Sequence, residues 1–136
     1  MDVLMSIKPK FVREILLGKK CYEYRKAVPK QKFDRVYIYE SAPTKKIVAC
    51  FTVKQILKDN PDEIWNLTYE QSGLSKDEFD KYFFGKKYAY ALQIAELHVL
   101  DKPIAPIKIW KNFSAPQSFS YVEGIEWYEK FCYLVW

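Results

Sequence analysis

The stretch LLGKKCYEYRK, residues 16–26, decides how this chain is read. Just upstream, PKFVREILLG opens at Pro9, which suits the first position of a helix. Phe11, Val12, Ile15 and Leu16 form one apolar stripe, while Lys10, Arg13 and Glu14 face water. Gly18 is a natural stop, because glycine tolerates the left-handed conformation that ends many helices. KCYEYRK (20–26) then alternates in the manner of a strand. On a regular strand Cys21, Glu23 and Arg25 share one face, with Tyr22 and Tyr24 on the other. Gly18, Lys20, Glu23 and Arg25 therefore spell G-x-K-x-x-E-x-R where a helix gives way to a strand. A carboxylate two residues from a guanidinium can pair with it, or offer an acceptor and a planar donor fork to a base edge. Lys20, beside the glycine turn, supplies a point charge for phosphate. The competing reading is a surface ion pair on an edge strand, worth about 0–1 kcal/mol.

Working outward, DVLMSI (2–7) reads as a first strand, and RVYIYE (35–40) and KIVACFTV (46–53) as two more. The last two are apolar on both faces, which fits a closed or nearly closed sheet better than a one-sided one. Asn60-Pro61-Asp62-Glu63 and Ser75-Lys76-Asp77-Glu78 are helix starts with a cap and a carboxylate three residues on, and Gly85 closes the second helix. Their acidic first turns suit the helix dipole, so that negative charge reads as structural. KYAYALQIAELHVL (87–100) is the longest strand candidate. Pro103 and Pro106 are expected to break the chain beyond it into edge-like pieces. A short helix is expected near 123–131. The order β-α-β-β-β-α-α-β-β is an α+β pattern dominated by a small curved sheet.

Scarce residues exclude much. The chain has 136 residues, 4 of them glycine, and no P-loop or G-x-G-x-x-G, so nucleotide hydrolysis and dinucleotide chemistry drop out. His98 is the single histidine, which removes any mechanism needing two imidazoles and reads as a half-covered strand residue. Cys21, Cys50 and Cys132 form no C-x-x-C pair, which argues against a zinc site and against a disulfide framework. Reduced thiols point to the cytoplasm. No cofactor or metal is expected. The N-terminal residues lack the pattern of a signal peptide, and no apolar run approaches the roughly 20 residues that span a bilayer, so no membrane role is expected.

The formal charge of +5 is uneven. Residues 1–54 hold 13 basic and 5 acidic side chains, a net +8, against 9 and 12, a net −3, in residues 55–136. Ten of the basic residues lie between Lys8 and Arg35, around the G-x-K-x-x-E-x-R element. Such asymmetry points to a polyanionic partner.

SIKPKFVREILLGKKCYEYRK resembles the opening of ASCH-domain proteins, whose hallmark is G-x-K-x-x-E-x-R after a short helix. RVYIYESAPTKKIVACFTV resembles the second and third strands of that family, KYAYALQI a later one, and APQSFSYV the P-Q-S-F element of bacterial single-domain members. The resemblance implies a PUA-like fold, a small pseudo-barrel of five or six strands with short helices at its mouth. It divides the chain into a domain over 1–122 and an extension over 123–136 packed on it. It also implies a cleft for single-stranded RNA or a nucleotide. Lys20, Glu23 and Arg25 would line that cleft, with Lys8 beside it and Ser41, Gln117 and Ser118 as polar rim. Lys26 belongs to the same basic run.

The family it resembles includes RNA-binding modules, single-stranded ribonucleases and an acetylcytidine amidohydrolase branch. That last branch looks to carry K-x-x-T with a threonine nucleophile, where this chain has Glu23. Three readings stay open. A binding module would use the lysines with Tyr22, Tyr24, Tyr37 and Tyr39, at least half of which read as barrel core. A metal-independent enzyme on RNA or a nucleoside would use Glu23 as general base, with Lys20 or Arg25 stabilising charge. A third reading has the tail WYEKFCYLVW docking a protein partner.

Overall fold

A computed structural model describes residues 1–123 and the backbone of 132–134. The chain forms β1 (Asp2–Ile7), α1 (Pro9–Leu16), β2 (Tyr22–Arg25), β3 (Arg35–Glu40), β4 (Lys46–Asp59), α2 (Pro61–Thr68), α3 (Lys76–Phe83), β5 (Ala89–Ile104), β6 (Phe119–Val122) and β7 (Cys132–Leu134). The strands make one curled sheet in the order β2-β5-β4-β3-β1-β6, with β7 paired to the C-terminal part of β5. β1 and β3 run parallel and the other pairs antiparallel.

The local signals worked as expected. Pro9 occupies the first turn of α1, and Gly18 follows its end at φ +76°. The Asn60 side chain accepts a hydrogen bond from the Glu63 N–H, and Ser75 with Glu78 forms a full capping box. Both faces of the central strands are covered. Val3, Met5 and Ile7 of β1 pack with Val12 and Ile15 of α1, and with Phe51, Leu92 and Leu97, inside the curl. Leu4 faces the other way, into a layer with Tyr37, Tyr39, Ile47 and Leu100 that Trp110 and Phe113 cover. A third cluster seats α2 and α3, through Ile64, Phe79 and Phe83, on Tyr24 and Ala91.

Two strands outrun their sequence signals. β4 extends six residues beyond Val53 because β5 pairs with it as far as Asp59. β5 runs through Pro103 to Ile104. Ala49 pairs with Val99 and Ile47 with Ile104, so the residues around Pro103 bulge out and the proline owes the ladder no N–H. A second bulge puts one extra β5 residue between the Thr52–Ala95 and Cys50–His98 pairs, with Glu96 at φ +46°. These irregularities curl the sheet. Pro106 does end the strand, opening a short 3-10 turn. The helix expected near 123–131 falls outside the described residues, apart from Glu123.

Candidate functional site

Among the described residues the sheet path ends at β2 and β6, and no backbone pairing joins these two strands across the seam between them. Arg25, on β2, spans that seam. Its Nη2 donates to the Ser6 carbonyl of β1 at 2.9 Å, and its Nη1 to the carbonyl and Oγ of Ser118 at 3.3 and 3.2 Å. Nε and Nη2 both donate to Glu23 Oε2, at 3.1 and 2.7 Å. These contacts match the five N–H groups of a guanidinium. Ser6 also donates through its own hydroxyl to Pro116 and through its N–H to Ser118, so the A-P-Q-S segment is bound to the end of β1. Glu23 and Arg25 share a face, as the alternation predicts. Cys21 lies before β2, its N–H donating to the Gln71 carbonyl.

The pair is not a surface ion pair, although β2 is an edge strand. Glu23 and Arg25 are buried, and Lys20 is more so, at 2% exposure. Burial comes from α1 on one side and the α2–α3 connection on the other, neither of which the strand's own alternation reveals. Lys20 bridges backbone to backbone with Ser72. Its Nζ donates to the Ser72 carbonyl at 3.3 Å, stands 3.7 Å from Glu23 Oε1, and lies 4.5 Å from the centroid of the Tyr24 ring. Gly73 makes this approach possible. A Cβ there would sit 2.5 Å from Lys20 Cβ, and its φ of +67° already favours glycine.

Desolvation by burial lowers the Lys20 pKa to about 8, with the nearby Arg25 charge adding to the drop and Glu23 opposing it. Burial likewise pushes the Tyr24 phenol up to about 12 and raises Tyr82 and the Cys21 thiol. Hydrogen bonding from Lys10, helped by the Ser75 N–H, lowers Glu78.

Lys20, Glu23 and Arg25 form the floor of a cleft of about 220 Å³. Ser6, Ile7 and Lys8 line it from the end of β1, Phe11 from α1, and Tyr24 from β2; Leu74, Glu78 and Tyr82 come from the α2–α3 region and Gln117 from the segment before β6. Of the residues named from the sequence, Lys8, Lys20, Glu23, Arg25 and Gln117 line this cleft. Ser118 lies behind Arg25, as its partner. Lys26 is outside the lining but rests on Tyr82, 4.5 Å from the ring centroid. Ser41 is outside the lining but adjoins it, its N–H donating to the carbonyl of Ile7, which lines the cleft. Three cations and two carboxylates line the cleft, so it is less basic than the sequence around it. Tyr37, Tyr39 and Tyr24 are all core, and Tyr24 also holds the Lys20 ammonium against its ring. Sequence reasoning missed Leu74 and Tyr82, and took Glu78 for a helix cap alone. Among the described residues no group of three His, Cys, Asp or Glu side chains could hold a metal, and no helix is long and apolar enough to cross a membrane.

A family model described as ASCH domain matches residues 5–130. The chain belongs to the ASCH domain family. It is 27% identical over 132 residues to an ASCH domain-containing ribonuclease of Zymomonas mobilis, with 92% of this chain and 86% of that protein covered. The crystal structure of ASCH from Zymomonas mobilis superposes with a TM-score of 0.82 at 25% identity, covering 90% of this chain and 87% of that one. The chain is also 29% identical over 123 residues to a protein named large ribosomal subunit protein uL22 of Ureaplasma parvum, with 89% of this chain matched but only 39% of that protein. The curled sheet with short helices is thus the ASCH, PUA-like fold.

Proposed function

We propose that the cleft binds single-stranded RNA, one nucleotide deep. The observation that carries this is the buried Lys20 ammonium, which spends one donor on Ser72, keeps 3.7 Å from Glu23, and faces a cleft between aromatic rings. A lysine has three donors, and a phosphate oxygen in the cleft would take the one left over. Phe11 and Tyr82 offer ring surface to a base, and Lys8 at the mouth a second phosphate contact. A cleft of about 220 Å³ is smaller than a typical ligand pocket, which suits a nucleotide unit better than a folded RNA. Cys21 is a free thiol, which supports a cytoplasmic setting, and the β7–β5 pairing supports reading 123–136 as part of the same domain.

The lowered Lys20 pKa favours a second reading, cleavage of the bound strand without a metal, and the ribonuclease name of the Zymomonas mobilis relative supports it. Glu23 Oε1 would take the proton of a ribose 2′-hydroxyl as its oxygen bonds to phosphorus. Lys20 would give a proton to the departing 5′-oxygen as the P–O bond breaks, leaving a 2′,3′-cyclic phosphate and a 5′-hydroxyl. Both residues then exchange protons with water. Glu23 is committed twice to Arg25 and is no substitute for a threonine nucleophile, so amide hydrolysis of acetylcytidine is the less supported chemistry.

Titration of labelled single-stranded RNA against wild type and Lys20→Ala, at two salt concentrations, tests binding. The expected outcome is salt-dependent affinity for wild type and at least a tenfold loss in the variant. Equal affinity in both proteins contradicts the reading. Incubation with the same RNA, with Glu23→Gln as control, tests cleavage: cyclic-phosphate ends from wild type alone support it, and intact RNA rejects it.

A further inference from the structure

Beyond the cleft, lysines and aromatic rings alternate across one end of the sheet. Strand register sets Arg25 of β2 opposite Tyr90 of β5, and Tyr90 opposite Lys58 of β4. Directly opposed residues share a face, so the face carrying Arg25 continues through Tyr90 to Lys58, about 10 Å away across two strand spacings. Lys58 Nζ lies 4.6 Å from the Tyr88 ring centroid and 5.7 Å from that of Tyr90, and Lys87 Nζ lies 5.4 Å from Tyr88. Next to Arg25 in the chain, Lys26 covers Tyr82 of α3, the helix seated on the opposite face of the sheet, and Tyr82 itself lines the cleft. Between Tyr82 and Tyr88 the chain presents Phe84 at 87% exposure.

The charges of this rim are free to meet an anion. Among the described residues Lys26, Lys58, Lys86 and Lys87 form no ion pair, whereas Asp77 and Asp80 of α3 are already paired with Lys81 and Lys76. Protein interfaces are depleted in lysine, so a rim with a lysine against nearly every ring is a poor protein-docking patch. Exposed rings with interleaved cations fit unpaired bases joined by phosphates, and a duplex would hide the base faces they need.

We propose that this rim, built on Phe84, Tyr88, Tyr90, Lys26 and Lys58, is a second nucleotide-binding subsite that carries single-stranded RNA onward from the cleft. The inference rests on the reading of the cleft as an RNA site. The rings stack bases that have left the cleft past Tyr82, and the lysines hold the phosphates between them. The cleft then binds one unit of the strand, and the rim makes affinity depend on its length.

The test titrates wild type, the triple variant Phe84→Ala/Tyr88→Ala/Lys58→Ala, and Lys20→Ala. Each meets a 2′-O-methyl RNA of about eight nucleotides, a length within the range that single-strand sites cover, and the matching dinucleotide. The methyl group blocks cleavage through the 2′-oxygen. All three substituted rim residues are exposed, so circular dichroism is expected to show an unchanged fold. The expected result is a loss of about tenfold or more for the longer RNA in the rim variant, with dinucleotide binding unchanged. The slope of log affinity against log salt should fall by about 0.7 for the one lysine removed. Lys20→Ala should weaken both ligands. If the rim variant binds the longer RNA like wild type while Lys20→Ala weakens both, the rim inference is overturned and the cleft reading stands. If instead Lys20→Ala binds both ligands normally, the cleft reading fails, and a strand running from cleft to rim fails with it.

Discussion

The barrel is held together in two different ways on its two sides. Along β3, β4 and β5 the wall is a continuous ladder, with apolar side chains packed on both faces and bulges to bend it. At the seam between β2 and the β1–β6 edge no ladder forms among the described residues, and one guanidinium ties Glu23, Ser6 and Ser118 together. The difference separates the roles inside G-x-K-x-x-E-x-R. Arg25 has its donors filled by the protein, and Glu23 is bound to it, so this pair acts first as a fastener. Lys20 has the weaker protein contacts and the open side. The wall is stable on apolar burial; the seam accepts buried charge, and the charge left least satisfied is the one facing the cleft.

The largest effect is expected from opening the fastener. Arg25→Ala leaves Glu23 buried without its main partner and should cost about 3–5 kcal/mol in a denaturant titration. Arg25→Lys should recover little, because an ammonium cannot reproduce the five-donor fork. A loss below about 1 kcal/mol would make the seam no different from a surface ion pair.

Lys20→Met should move the other way. It removes a buried charge with only long contacts while Glu23 keeps Arg25, so unfolding at pH 7 should require about 1–3 kcal/mol more. RNA binding should be lost at the same time. The sign of the pH dependence comes from the Lys20 pKa of about 8, below its ordinary 10.5. Between those values the unfolded chain holds a proton that the folded protein has released, so wild-type stability gains a contribution that grows from about pH 8 to 10.5. Its size is on the order of 3 kcal/mol. Below about pH 8 both states are protonated and this dependence vanishes. Lys20→Met should lack it, which the difference between the two proteins' pH–stability curves measures.

Gly73→Ala should cost about 1–3 kcal/mol by thermal melting, since the new methyl meets Lys20 Cβ and the backbone is left-handed. Pairing it with Lys20→Gly should recover part of that loss, because the Cβ and Cγ that the new methyl meets are gone; full additivity would place the strain in the left-handed backbone instead. The smallest effect belongs to the wall. Tyr37→Phe removes the 2.8 Å hydrogen bond to Asp2 Oδ2, and Asp2 keeps the Arg35 N–H, so about 0.5–1.5 kcal/mol is expected.

Legibility in the sequence divides along the same line, between local and distant contacts. Pro9, Gly18, Asn60, Ser75 and Gly85 act on backbone within a turn of themselves, so the helices stand where those residues put them. The extents of β4 and β5 depend on each other's register, and Pro103 inside β5 is acceptable only because a bulge releases it. The hallmark itself was visible as spacing, but its burial was not. Ser72 lies 52 positions from Lys20 and Ser118 lies 93 from Arg25, and no local periodicity announces such contacts. The basic run from Lys8 to Arg35 overstated the cleft: it contributes only Lys8, Lys20 and Arg25 to the lining, and Glu23 and Glu78 offset two of them. Glu78 also shows how a helix-capping carboxylate can stand at a site without any sequence sign of it.

The most direct test tracks the Lys20 side chain itself, by NMR titration of its Nζ-adjacent carbon or nitrogen in free protein and in protein saturated with a non-cleavable single-stranded RNA. The expected result is a pKa near 8 for the free protein, well below the surface lysines, and a clear rise when a phosphate settles against the ammonium. A free value at the ordinary 10.5, or one that saturating RNA leaves unmoved, would contradict a desolvated, phosphate-seeking lysine in the cleft.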